Sequence, residues 1–131
     1  MSNFLRVMLF ITITYVLLGC ESKSEITPLS FVSILINYNE LDGQKVEVKG
    51  YVSSPTGNVM LFLTEDSAKY RDFSSSIKLA GVNETDLSDC LNSFSTVFGI
   101  LEVSGVKNSQ HRLHVYKVFN DVSNSLCWKM E

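Results

Sequence analysis

The feature that most constrains the fold is the alternation in residues 44–54, QKVEVKGYVSS. Val46, Val48, Gly50 and Val52 stand at every second position, and mostly charged or polar side chains stand between them. A period of two is typical of a strand with one face in a core. A glycine inside such a strand indicates a bulge or a sharp bend, which a sheet needs in order to curl into a barrel. The sequence therefore predicts a curved sheet.

Four further segments carry strand patterns: residues 59–63, 76–81, 95–105 and 111–123. Apolar side chains at helical spacing follow Thr27-Pro28, and predict an N-terminal helix with Thr27 as its N-cap and Pro28 at its first position. Residues 64–73 predict a helical turn or a loop, with Thr64 as a cap, and residues 83–92 predict a short helix. Five strands with a helix between the third and the fourth fit a small Greek-key barrel.

A family resemblance agrees with this prediction. The stretches SILINYNELDGQKVEVKGYVSS, VMLFLTEDSAKY, SIKLAG and STVFGILEVSG resemble an OB-fold found in small bacterial proteins of unassigned function. The resemblance covers residues 28–123, and its motifs are structural: Asp42-Gly43 at a turn, and Gly50 and Gly99 at barrel bends. It implies a mainly β, five-stranded OB-like Greek-key barrel with an N-terminal helix and a short helix between strands three and four. It implies no catalytic residue.

The N-terminus predicts export. Residues 1–19 combine a positively charged start with the apolar run VMLFITITYVLLG, which is typical of a secretory signal peptide and too short to span a bilayer. Leu17-Leu18-Gly19-Cys20 resembles the lipobox of bacterial lipoproteins. The resemblance implies cleavage between Gly19 and Cys20, with lipid attached to Cys20. In a Gram-negative host the resemblance also implies, from Glu21 after the cysteine, the outer membrane on its periplasmic side rather than the inner membrane.

The predicted organisation is a signal peptide (residues 1–19), a polar tether (residues 20–27) and one barrel domain (residues 28–131). An ordinary secreted protein with a chance cysteine and an uncleaved N-terminal anchor are the alternatives. Removing residues 1–19 takes away Arg6, so Lys plus Arg falls from 11 to 10 against 14 acidic residues, a net charge near −4. Because nucleic-acid affinity is carried mainly by Lys and Arg on phosphates, we expect no nucleic-acid partner.

The cysteine count predicts a disulfide. With Cys20 acylated, Cys90 and Cys127 remain as an even pair in an oxidising compartment, where pairing is favoured. Such a bond would fix the C-terminal segment to the domain. The alternative is two thiols that never meet.

Residues suited to catalysis are few. His111 and His114 are three apart, so in one strand they lie on opposite faces and share no metal. Asp86 and Asp89 share one side of a predicted helix, where a solvated, capped first turn is the commoner role for such a pair. No nucleophile motif and no phosphate loop is found. We therefore expect no cofactor, no metal and no enzymatic activity; an enzyme with an unrecognised site is the alternative.

The remaining prediction is a binding face. Lys45, Glu47, Lys49 and Tyr51 point outward from the first strand, and Tyr51 could stack on a ligand with Tyr70, Phe73 or Tyr116 nearby. Equally, the aromatic side chains can cover the barrel and the lysines can form a solvated face. The predicted function is a lipid-anchored, non-enzymatic envelope module, held by acylated Cys20, that binds a protein or an envelope polysaccharide. A periplasmic immunity or inhibitor lipoprotein that blocks a toxin or hydrolase is the alternative.

Overall fold

The structure is a computed structural model, and it describes residues 25–103 and 110–131 of the 131-residue chain. The predicted signal peptide and the lipobox with Gly19 and Cys20 lie outside the described residues. Within the described ranges the chain forms strands β1–β7, helices α1 and α2, and one 3-10 turn. In chain order they are β1 (Thr27–Leu29), α1 (Phe31–Leu41), β2 (Lys45–Ser53), β3 (Met60–Phe62), α2 (Glu65–Lys69), the 3-10 turn (Phe73–Ser75), β4 (Ser76–Ala80), β5 (Ser93–Glu102), β6 (Arg112–Asn120) and β7 (Ser125–Lys129).

Five of these strands form the predicted barrel. Their order is β2-β3-β4-β6-β5, and pairing of β2 with β5 closes it. All neighbours are antiparallel except β4 and β6, which are parallel. This confirms a mainly β, OB-like Greek-key barrel. Two further strands were not predicted: β1 pairs with β2 in parallel, and β7 pairs with β6 in the antiparallel sense.

The N-terminal helix starts later than predicted. Thr27 and Pro28 belong to β1, so the predicted start at Thr27 is wrong. Ser30 is the N-cap of α1, and its hydroxyl accepts the backbone N–H of Ser33 at 3.1 Å. Buried side chains on the inner side of α1, Phe31 and Ile34, close the end of the barrel where β2 begins.

Both glycines expected at bends lie where two backbones approach closely. A Cβ at Gly50 would stand 2.7 Å from the carbonyl oxygen of Phe62, and a Cβ at Gly99 would stand 2.7 Å from that of His114. The register of β5 against β6 also shifts between Phe98 and Gly99, which marks an irregularity of the bulge kind. A side chain at either position would force the facing backbone to shift.

The opposite end of the barrel is closed by residues 84–92. They form consecutive turns rather than the regular helix predicted there. The start signal is real, because Asn83 and Asp86 exchange side chain to backbone hydrogen bonds at 2.8 and 3.0 Å. Hydrogen bonds to the third and fourth preceding residues then alternate, so no continuous helix develops. Cys90 in this segment is buried and forms a disulfide with Cys127 of β7, with Cα atoms 5.9 Å apart.

The core has two parts. The larger cluster fills the barrel and includes Leu61, Val97 and Leu113. The second, here named the outer cluster, lies on the outer side of β2 and β3, where Tyr51, Met60 and Phe62 pack with Ala68 of α2. The side chain of Thr64 caps α2, as predicted. Among the described residues, no helix is long and apolar enough to cross a membrane.

Candidate binding site on the barrel surface

The structure divides the predicted binding face on β2. Lys49 is exposed and Lys45 is half-buried, but Tyr51 is only 8% exposed within the outer cluster. Its ring packs edge-on against Phe94, with centroids 5.3 Å apart. Burial, and then the charge of Glu65, raise the pKa of the Tyr51 hydroxyl. Tyr51 therefore serves packing, and it offers no open ring face to a ligand.

Of the three other aromatic residues expected near this face, one lines a groove. Tyr70 is exposed, and the ammonium of Lys69 lies 5.7 Å from its ring centroid. Tyr116 packs against Phe98, and its hydroxyl is buried without a partner among the described residues. Burial, and then the charge of Glu47, raise its pKa. Phe73 alone is half-exposed beside a concave surface.

Two grooves open beside α1. The first, here named the β1 groove, measures about 490 Å³ and runs between β1, the start of α1 and the outer face of β2. Its walls are mostly apolar and include Pro28, Val32 and Leu63, with Glu47 and Lys49 as its charged residues. Glu47 and Lys49 are thus the residues of the predicted face that line this groove.

The second groove, here named the aromatic groove, measures about 510 Å³. It is lined by Leu35, Tyr38, Phe73, Ser74, Ser76, Gln110 and His111. The rings of Tyr38 and His111 are stacked with centroids 4.2 Å apart and planes inclined by 31°. Phe73 supplies a third ring, which packs on the ring of Phe62 with centroids 6.4 Å apart. Three rings from three elements therefore face one concave surface.

Hydrogen bonds fix the polar wall of the aromatic groove. The amide of Gln110 donates to the hydroxyl of Ser76, which in turn donates to the carbonyl of Phe73 at 2.8 Å. The hydroxyl of Ser74 donates to the carboxylate of Asp72 at 2.5 Å. This hydrogen bond, and then a second from Ser75, lower the pKa of Asp72. The 3-10 turn that carries Phe73 is thereby held in place.

The two histidines have separate surroundings. His111 is partly buried in the aromatic groove, and burial lowers its pKa because it disfavours the charged ring. His114 is exposed and pairs with Glu102. In residues 25–103 and 110–131, no three His, Cys, Asp or Glu side chains are grouped as a metal would require. Asp86 is used as a cap, as described above.

Sequence reasoning did not find the aromatic groove. The sequence places Tyr38 within the predicted N-terminal helix and His111 at the start of the strand predicted at residues 111–123. Their meeting depends on α1 lying across the end of the barrel beside the start of β6. No local pattern signals it, because Tyr38, Phe73 and His111 are separated by more than thirty residues each.

Comparisons with known proteins add little. No protein-family model matches the sequence, and no curated protein is significantly similar to it. Among solved structures, the chain is similar to one described as an aspartyl-tRNA synthetase from Leishmania major Friedlin, with 14% identity, a TM-score of 0.42 and 87% of this chain covered. The chain spans 23% of the length of that protein. A similarity at this level carries no argument about function.

Proposed function

We propose that the chain is a lipid-anchored, non-enzymatic module of the cell envelope that binds a sugar ring of an envelope polysaccharide in the aromatic groove. The lipobox-like segment that ends at Cys20 supports the anchor. The Cys90–Cys127 disulfide supports export, because structural disulfides persist in oxidising compartments. All three cysteines of the chain then have a role.

The observation that carries the binding role is the aromatic groove itself. Binding sites for small molecules are concave and mostly apolar, with a few polar groups that fix orientation. A sugar ring presents C–H groups on its faces and hydroxyls at its edge. Phe73 and the Tyr38–His111 pair offer ring surfaces to those faces, and Ser74 and Gln110 offer hydrogen-bonding groups to the hydroxyls.

Binding is favoured over catalysis by the composition of the groove. No carboxylate is among its described lining residues, and His111 is the one titratable group there besides Tyr38. A glycosidase of the usual kind needs two carboxylates that flank the scissile bond. The groove therefore suits recognition of a sugar without its hydrolysis.

The test compares two matched phenylalanines. Phe73 is 41% exposed and lines the groove, whereas Phe94 is 44% exposed and lies outside it. Each packs on a ring of the outer cluster, Phe62 and Tyr51 respectively, so loss of either should disturb the fold alike. The mature chain with Cys20→Ala would be titrated calorimetrically with soluble oligosaccharides released from purified peptidoglycan and from lipopolysaccharide.

We expect one of these oligosaccharide sets to bind, and Phe73→Ala to weaken its binding about tenfold, which corresponds to about 1.4 kcal/mol. Phe94→Ala should change the Kd less than twofold. Equal losses in the two variants would contradict a site in the aromatic groove. Absence of binding to either set would remove the polysaccharide and leave a protein partner as the ligand.

A further inference from the structure

We propose that an apolar face at the amino-terminal end of the domain rests on the surface of the bilayer that holds the lipid anchor. This face, named here the N-terminal face, consists of Ile26, Pro28, Val32, Ile36 and Leu63. The inference rests on the proposed anchor at Cys20, and it adds an interaction surface and an orientation to it. It is independent of the aromatic groove, with which the face shares no residue.

The face is apolar where a helix surface is normally polar. The inner side of α1 is buried through Phe31 and Ile34. On its outer side, Val32 is 46% exposed and Ile36 is 70% exposed, and residues four apart lie one above the other on a helix. A solvated helix usually carries charged and polar residues on this side. The outer side of α1 is therefore fitted for an apolar neighbour.

The β1 groove extends the apolar surface beyond α1. Pro28 and Val32 line one part of the groove, and Leu63, 38% exposed, lies at another. Ile26 is 43% exposed and stands immediately before β1, two residues before Pro28. The exposed apolar side chains thus continue to the point where the tether joins the domain.

The length of the tether decides what this surface meets. Only residues 21–25 separate Cys20 from Ile26. Six residue steps span at most about 22 Å when fully extended, and a random coil of six residues averages about 13 Å. A domain of about 100 residues has a radius of gyration of about 13 Å. The domain therefore cannot move away from the bilayer, and the surface around Ile26 is the part held nearest to it.

The anchor also reduces the affinity that the face must supply. A tethered group experiences an effective concentration in the millimolar range, so a weak contact is enough to orient the domain. The charged residues of the β1 groove, Glu47 and Lys49, are of opposite sign. The stem of Lys49 can lie along apolar surface while its ammonium reaches the lipid phosphates. Because the charges balance, contact should not require anionic lipid.

The test places a tryptophan at two sites of equal exposure. Ile36 is 70% exposed on the N-terminal face, and Val122 is 74% exposed beyond the end of β6. These sites lie at opposite ends of the barrel. α1, with Ile36, covers the end where β2 begins, whereas β6, which Val122 follows, finishes at the other end, beside the start of β5. Acylated mature protein carrying Ile36→Trp or Val122→Trp would be reconstituted in phosphatidylcholine vesicles with or without brominated acyl chains. Wild-type protein, which has Trp128 alone, provides the background.

We expect the additional emission of Ile36→Trp to fall by about half in brominated vesicles, because a tryptophan at this face would sit at the level of the headgroups. The additional emission of Val122→Trp should not change. Val32→Trp is a second variant on the same face, and it should behave as Ile36→Trp does. Equal quenching at both ends of the barrel would overturn the proposal, since the domain would then have no fixed orientation.

Absence of quenching at Ile36 and Val32 would also overturn it. If cross-linking then joined two copies through this face, the occupant would be a second copy, and otherwise the face would be free in the membrane-bound protein. Failure of the lipid anchor gives a result that is distinct from failure of the membrane contact. In that case the intact mass of the purified protein lacks acyl chains and the protein does not float with the vesicles. That result would remove the anchor and the membrane contact together, and leave the sugar-binding groove untouched.

Discussion

Reduction of the Cys90–Cys127 disulfide should lower the free energy of unfolding by about 4 kcal/mol. The bond joins residues 37 apart in sequence, and the chain-entropy relation for a loop of that length gives about 3.8 kcal/mol at 25 °C. The bond connects the turns that close one end of the barrel to β7. Its reduction therefore increases the conformational freedom of the unfolded chain, and it leaves every side chain of the core in place.

The assay is urea unfolding of the mature Cys20→Ala chain with and without reductant. With a slope near 2 kcal/mol/M, the midpoint should fall by about 2 M on reduction. Reductant should have no effect on the variant Cys90→Ala/Cys127→Ala, which is the control. A midpoint that changes by less than about 0.5 M on reduction would refute the reasoning, because it would mean that the bond does not form or that the unfolded chain is already constrained in this loop.

Two further changes test the barrel and the aromatic groove. Gly99→Ala should lower the free energy of unfolding by about 2 kcal/mol in the same urea assay, because the new Cβ would meet the backbone oxygen of His114. The control is Ile100→Ala, at a partly exposed neighbouring position, which should cost less than half of that. Equal costs in the two variants would contradict the close approach of the backbones at Gly99. The pKa of His111 is lowered in the folded state from its ordinary value of 6.5. Between these two pKa values the unfolded chain binds more protons than the folded chain, so the free energy of unfolding falls as the pH decreases. The variant His111→Gln should therefore lose less stability than the wild type between pH 7 and pH 5. If His111→Gln leaves the pH dependence of stability unchanged, or if His114→Gln reduces it equally, burial of His111 is not the cause of that pH dependence.

The sequence was sufficient for the barrel because each of its strands has a local signature. The alternation in β2 sets which side chains face inward, and Val46, Val48 and Val52 are all fully buried. Gly50 and Gly99 predicted bends of the barrel, and the structure has a carbonyl oxygen 2.7 Å from the position of each missing Cβ. These patterns report on one strand and its nearest neighbour, which is the range over which local rules apply.

The errors arise where distant parts of the chain decide the outcome. Thr27-Pro28 has the composition of a helix start, yet β2 is close enough to pair with it in parallel, and the helix begins after Ser30 instead. Tyr51 points outward, as the alternation of β2 indicates, but the outer cluster under α2 buries it. Local propensity is a weak prior in such places because tertiary contacts override it.

The aromatic groove shows why a binding site can be harder to predict than the fold that carries it. Its rings come from α1, from the 3-10 turn before β4 and from the residue before β6. β4 and β6 are neighbours in a parallel pair, and that pairing brings the residues before both strands to the same end of the barrel. α1 reaches this end because Phe31 and Ile34 insert into the barrel opening. Correct predictions of these three elements would therefore not have revealed the site. Its position follows from the order of the strands and from the end of the barrel that α1 covers.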